Sequence, residues 1–140
     1  MIKITKASPN QVKDFNLREW HGVDVEHYGK HVEWNDKEFN FRAEENGEII
    51  GTASGKYVAG VIYIDAIIVA KDKRDKGVGS ALMKKIEEFG KKSGAHKSWL
   101  ITGKDWIKTN NFYKKLGFSK GPILPRHNFE RNYIIYYKFI

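Results

Sequence analysis

The nine residues from Val61 to Val69, VIYIDAIIV, constrain this chain more than any other stretch. They are rich in β-branched side chains and mostly apolar at both odd and even positions, so the strand they form has both faces covered and lies inside a sheet. A basic loop follows, Lys71-Asp72-Lys73-Arg74-Asp75-Lys76-Gly77-Val78-Gly79. Beyond it Val78, Ala81, Leu82, Ile86 and Phe89 recur at helical spacing, which predicts a helix ended by Gly90 or Gly94. Ser98 to Thr102 (SWLIT) then reads as a short buried strand. Strand, loop, helix and strand in this order make a right-handed crossover at the centre of the fold.

The flanking elements are read from local signals. Ile2 and Ile4 alternate with Lys3 and Thr5, which predicts a short first strand. Ser8-Pro9-Asn10-Gln11 opens a helix, with Ser8 as cap, Pro9 at the first turn and Gln11 in the capping-box position. The pattern blurs from His21 to Asp36, where a short second helix and a loop are expected. Phe39, Phe41 and Ala43 alternate with polar residues in a strand from Glu38 to Glu45. Asn46-Gly47 turns the chain into a return strand, Ile49 to Val58. Asp105 to Leu116 reads as a helix ended by Gly117. A proline-containing loop and a last strand, Asn132 to Phe139, complete the chain. The expected class is α+β in α/β/α layers, a single domain over residues 1–140 with a central mixed, mostly antiparallel sheet and helices on both faces.

Composition removes several function classes. Aromatics make up 14% of the 140 residues, too many for a mainly disordered chain. The longest apolar run, Ala66 to Ala70, is far short of the roughly 20 residues of a membrane helix. Cysteine is absent, which excludes disulfides, thiolate nucleophiles and cysteine-ligated zinc. His21, His27 and His31 have no metal-site spacing, so no metal is expected. No basic-then-apolar leader is read at the start, so the expectation is a cytoplasmic protein without a membrane partner. The net charge of +8 is unevenly placed: residues 1–70 carry −3, residues 71–120 carry +9. An anionic ligand near the middle of the chain fits this imbalance, and so does a solvated lysine-rich surface.

The basic loop leads into a helix N-terminus, where backbone N–H groups lack intrahelical partners and the peptide dipoles add about half a positive charge. Phosphate binds such an end. Gly77 and Gly79 carry no side chain to hold an anion away, and Lys71, Lys73, Arg74 and Lys76 supply full charges. The P-loop pattern has no match, and Leu82 stands where the dinucleotide fingerprint needs its third glycine.

Arg74-x-x-Gly77-x-Gly79 after a β-branched strand resembles the acyl-CoA pyrophosphate motif, [Q/R]-x-x-G-x-[G/A], of the GNAT N-acetyltransferase superfamily. Phe112-Tyr113-Lys114-Lys115-Leu116-Gly117-Phe118 resembles its second signature. The resemblance covers nearly the whole chain and implies acetyl-CoA as cosubstrate and an amine as acceptor. It implies a sheet splayed between the fourth and fifth expected strands, with the pantetheine arm pairing with backbone at Ile67, Ile68 and Val69. The diphosphate would lie on amides of Arg74, Asp75, Lys76, Gly77, Val78, Gly79 and Ser80. Tyr113 matches the family's general acid near the thioester sulfur. Trp106 and Thr109 stand where the second signature carries Asn and Ala, so Asn110 or Asn111 is the nearest substitute for the cofactor-contacting asparagine.

Strand parity places Tyr63, Asp65, Ile67 and Val69 on one face. Asp65, the one acid in that strand, matches the base of some family members and is expected to titrate high if buried; it reads equally as a solvent-facing aspartate. His127 reads as an acceptor contact or a surface histidine. Asp14, Glu19, Asp24, Glu26, Glu33 and Asp36, among Trp20, Tyr28 and Trp34, suggest a cationic acceptor or an amphipathic surface. Dimers are common in the superfamily, but no feature here specifies an interface. A nucleic-acid-binding module is the alternative reading of the charge; it needs exposed aromatics among the basic residues, whereas Trp99, Trp106 and Phe112 fall at core-like spacing. A non-catalytic acetyl-CoA-binding protein is the other.

Overall fold

A computed structural model describes residues 1–140, which divide into two units, Met1–Trp34 and Asn35–Ile140. One continuous helix, α1 (Pro9–Tyr28), takes the place of the two expected helices, and the expected loop is confined to residues 29–36. Gln11 Oε1 accepts the Ser8 N–H at 2.8 Å, the capping contact the sequence predicts. Gly29 ends the helix at φ +74° with its N–H on the Val25 carbonyl. The periodicity blurs because the helix has no buried apolar stripe: Asp24 is its one buried residue, and Phe15, Trp20 and Tyr28 are exposed. The expected first strand does not form. Ile2 and Ile4 are each 90% exposed and pair with nothing, since two alternating isoleucines offer little surface to hold a ladder.

The second unit is a six-stranded sheet with strands β1 (Lys37–Glu45), β2 (Glu48–Val58), β3 (Val61–Val69), β4 (Lys97–Gly103), β5 (Ser119–Leu124) and β6 (Tyr133–Phe139). Their order is β1-β2-β3-β4-β6-β5. Only β3 and β4 run parallel, joined through α2 (Val78–Ser93). A second helix of this unit, α3 (Ile107–Lys115), follows β4. β5 corrects the expectation of a loop after Phe118. Gly121 and Pro122 hide it from pattern reading, and they fall where its pairing with β6 is irregular, at the edge a proline tolerates.

Leu82, Met83 and Ile86 of α2 pack onto Ile62, Ile64 and Leu100 of the sheet, and Tyr113 of α3 joins the same cluster beside Phe118 and Tyr136. α2 and α3 therefore cover one face. Gly94, at φ +92°, is the terminator of α2; Gly90 lies inside the helix, where a Cβ would stand 3.0 Å from Ile62. No helix is long and apolar enough to cross a membrane.

Candidate active site

β3 and β4 pair over three residues only, Val61↔Lys97, Ile62↔Ser98 and Tyr63↔Trp99. The Tyr63 and Trp99 rings, 4.6 Å apart, close the paired end. Past Tyr63 the strands part, while the other edge of β3 stays laddered to β2 as far as Gly51↔Val69. The Ala70 N–H donates to the Ile50 carbonyl at 2.8 Å, so by antiparallel alternation Ile68 and Ala66 also bond toward β2. Ile67 and Val69 then turn their N–H and C=O groups into the open gap. One of these is already taken, since Arg74 Nε donates to the Val69 carbonyl at 2.9 Å.

A bulge sits where the strands part. Ser54 opposes Ala66 and Gly55 opposes Ile64, which leaves Asp65 without a partner. The extra residue bends and twists β3 at this point. Gly55 is required across from it: a Cβ would collide with the Tyr63 carbonyl oxygen and lie 2.6 Å from the Phe39 ring. The bulge also overturns the parity expectation. Ile67 and Val69 pack with Ile62 and Ile64 on the helix-covered face, whereas Tyr63 and Asp65 line a hollow on the other. Asp65 is exposed, so the burial assumed for it is absent. Burial, and after it the Asp65 charge, pushes the Tyr63 phenol up.

Beyond Val69 a short 3₁₀ turn (Lys71–Lys73) leads to Asp75 and Gly77, both in the left-handed region at φ +60° and +84°. The first intrahelical bond of α2 runs from the Ala81 N–H to the Gly77 carbonyl at 3.0 Å. The amides from Arg74 through Ser80 donate to no carbonyl of the chain, and no side chain caps them. Seven N–H groups and a helix N-terminus thus gather in one turn, the arrangement that holds a diphosphate. Lys73 is engaged elsewhere: its ammonium meets Glu45 at 2.6 Å, and that hydrogen bond and charge pull the Glu45 carboxyl down and push Lys73 up. Lys71, Lys76 and the four remaining N–H groups of Arg74 supply the positive charge.

Gly77 and Gly79 serve different ends. Gly77 has open space around it and is needed for its backbone angle. A Cβ on Gly79 would lie 3.0 Å from the Phe112 ring, so this glycine admits α3 against the start of α2. The two sequence motifs, more than thirty residues apart, touch at this contact.

Tyr113 follows Phe112 and is 6% exposed, among the rings of Phe112, Phe118 and Tyr136 at 5.1, 5.8 and 6.0 Å. Burial pushes its phenol up to about 12. Asn110 is buried, and its amide is spent on the fold: Nδ2 donates to the carbonyls of Gly103 (2.9 Å) and Trp106 (2.7 Å), and Oδ1 accepts the Tyr136 hydroxyl at 2.7 Å. Asn111 is exposed. Trp106, expected in the core, is 56% exposed and lies over Gly103, where a Cβ would meet its ring at 2.6 Å. His127 rests against the Tyr133 ring at 5.6 Å. In the first unit the acids that suggested a cationic acceptor are partly engaged: Asp24 takes the Trp34 indole N–H at 2.9 Å, Glu19 pairs with Arg18, and Glu33 with His31.

Sequence reasoning missed Gly55, the Arg74–Val69 tie and Tyr63. A glycine inside a strand pattern was a legible bulge signal at Gly55; the other two depend on register.

Residues 10–118 match the model of the acetyltransferase (GNAT) family. The uncharacterised N-acetyltransferase YobR of Bacillus subtilis is 30% identical over 89 residues, 64% of this chain and 34% of that protein. The chain spans less than two thirds of the length of the curated relatives it matches. Among solved structures, an acetyltransferase from Bacillus cereus superposes with TM-score 0.76 at 20% identity, covering 99% of this chain and 98% of that one. A protein from Bacillus anthracis, solved in complex with acetyl coenzyme A, superposes with TM-score 0.69 at 24% identity over 74% of this chain and 62% of its own.

Proposed function

The chain belongs to the acetyltransferase (GNAT) family, and on that premise we propose that it transfers an acetyl group from acetyl-CoA to a primary amine by direct attack on the thioester. The observation that supports this reading most is the gap between β3 and β4, which opens beside seven unpartnered amides. The diphosphate rests on the turn from Arg74 to Ser80, and the pantetheine amides pair with Ile67 and Val69 along the free edge of β3. The fit is chemical: the turn offers donors for an anion, and the strand edge offers alternating donors and acceptors for an amide chain. Ile68 contributes through its neighbours, since its own backbone bonds toward β2. Asn110 holds the β4–α3 connection in place rather than touching the cosubstrate.

Tyr113 belongs to the core on the helix-covered face, and Asp65 lines the hollow on the other. Asp65 takes a proton from the ammonium and frees the nitrogen lone pair. The nitrogen bonds to the acyl carbon, the C–S bond breaks, and the second nitrogen proton passes to sulfur through Tyr113. Magnitudes decide what Tyr113 does. Moving a proton outright from a phenol near 12 to a thiolate whose acid titrates near 8.5 is uphill by about 5 kcal/mol. Tyr113 therefore donates a hydrogen bond to the leaving sulfur and relays the proton only as the nitrogen replaces it.

Titration with acetyl-CoA, read by thermal shift, tests binding; an amine panel assayed for released thiol tests transfer. Saturating acetyl-CoA at a hundred times its Kd stabilises the protein by about 2.7 kcal/mol. Absence of any shift overturns the reading, as does failure of every amine to release thiol.

A further inference from the structure

The open-face hollow beside the gap carries charges that the fold leaves unused. It measures about 370 Å³ and is lined by Glu38, Asn40, Ser54, Lys56, Tyr63 and Asp65 among others. Register aligns its charged row: Glu38 lies opposite Lys56 on β1 and β2, and Lys56 lies opposite Tyr63 on β2 and β3. Asp65 follows two residues on, pushed out of the ladder by the bulge. None of Glu38, Lys56 and Asp65 belongs to an ion pair of the chain, although seven such pairs form elsewhere.

We propose that this hollow receives the acceptor, and that the acceptor is an α-amino acid, its carboxylate on the Lys56 ammonium and its amine on Asp65. The inference rests on the transfer reading and adds the substrate class to it. Lys56 and Asp65 are diagonal cross-strand neighbours, roughly 7–8 Å apart at the backbone. The lysine stem spans much of that distance, so both charges reach one small molecule. The sign of Lys56 selects among amines. An unpaired ammonium repels a diamine or polyamine, whose second cation must settle near it, and attracts an amine that carries an anion. The Tyr63 ring beside Asp65 gives an uncharged side chain an apolar surface to rest on.

The test uses the full chain with acetyl-CoA and thiol release as the readout. The twenty L-amino acids are assayed singly, the best of them is compared with its carboxamide, and spermidine is the polycation control. The expected result is kcat/KM at least tenfold higher for the acid than for the carboxamide. Lys56→Met cuts that preference at least tenfold, with the loss falling on KM, and Lys56→Arg restores most of it. Equal use of acid and carboxamide, preference for spermidine, or a Lys56→Met effect that falls alike on every amine overturns the inference while leaving acetyl transfer intact. If acetyl-CoA binds but no amine is turned over, the transfer reading is overturned. The hollow is then judged by thermal shifts from the same amino acids on coenzyme A-saturated protein, and absence of any Lys56-dependent shift overturns the inference as well.

Discussion

From Val61 to Ile64, β3 is paired toward β2, meets β4 as far as Tyr63, and its Ile62 and Ile64 are 0% and 3% exposed. From Asp65 to Val69 it keeps β2 alone, begins with a bulge, and leaves Ile68 61% exposed. One nine-residue run with a nearly uniform composition thus holds a scaffold half and a working half. The difference lies in the partners rather than in the strand's own residues. The first half gains burial under α2. The second keeps backbone donors and acceptors free at the end where the basic turn begins, and an open strand edge of this kind can pair with an extended ligand.

Substitutions on the two halves sharpen this contrast. Ile62→Ala, fully buried under α2, is expected to cost about 4 kcal/mol of stability, read by chemical denaturation. Ile68→Ala in the open half should stay within about 0.5 kcal/mol; similar losses at both sites would break the comparison. Tyr113→Phe should lower kcat about 100-fold and leave acetyl-CoA affinity within about threefold, as stopped-flow and equilibrium titration would show.

An effect of the same size is expected in alkali. The folded state holds the Tyr113 phenol up to about 12, above its unfolded value near 10. Its stabilising contribution is full below pH 10 and is lost as pH rises to 12, about 2.7 kcal/mol in all. Denaturation curves across that window should be steeper in pH for the native chain than for Tyr113→Phe, and equal slopes would remove the buried phenol from the account. The smallest effect belongs to the turn. Arg74→Ala, which removes the tie to Val69, should weaken acetyl-CoA about tenfold, or 1.4 kcal/mol, with little change in melting temperature.

The central crossover was legible because three independent signals agree there: a two-sided apolar strand, a glycine-bearing turn and a helical stripe. The motif pair was legible for a related reason, though the meaning of Gly79 was not. It makes room for Phe112, a contact between residues distant in the chain. The strand at Ile2 and Ile4 shows the opposite case, a local pattern with no partner to pair with. At β5 a real partner in β6 overrides the local warning of Pro122. Parity past Asp65 failed because one unpaired residue inverts every later side chain. The hollow was invisible for that reason, since its residues come from three strands and meet only through register.

Amide-resolved hydrogen exchange with and without acetyl-CoA tests the central claim most directly. Protection should rise at Ile67 and Val69 and along the turn from Arg74 to Ser80, while Ile62 and Ile64, already buried and paired, change little. Binding that protects some other surface, and leaves the gap and the turn exchanging as before, would contradict it.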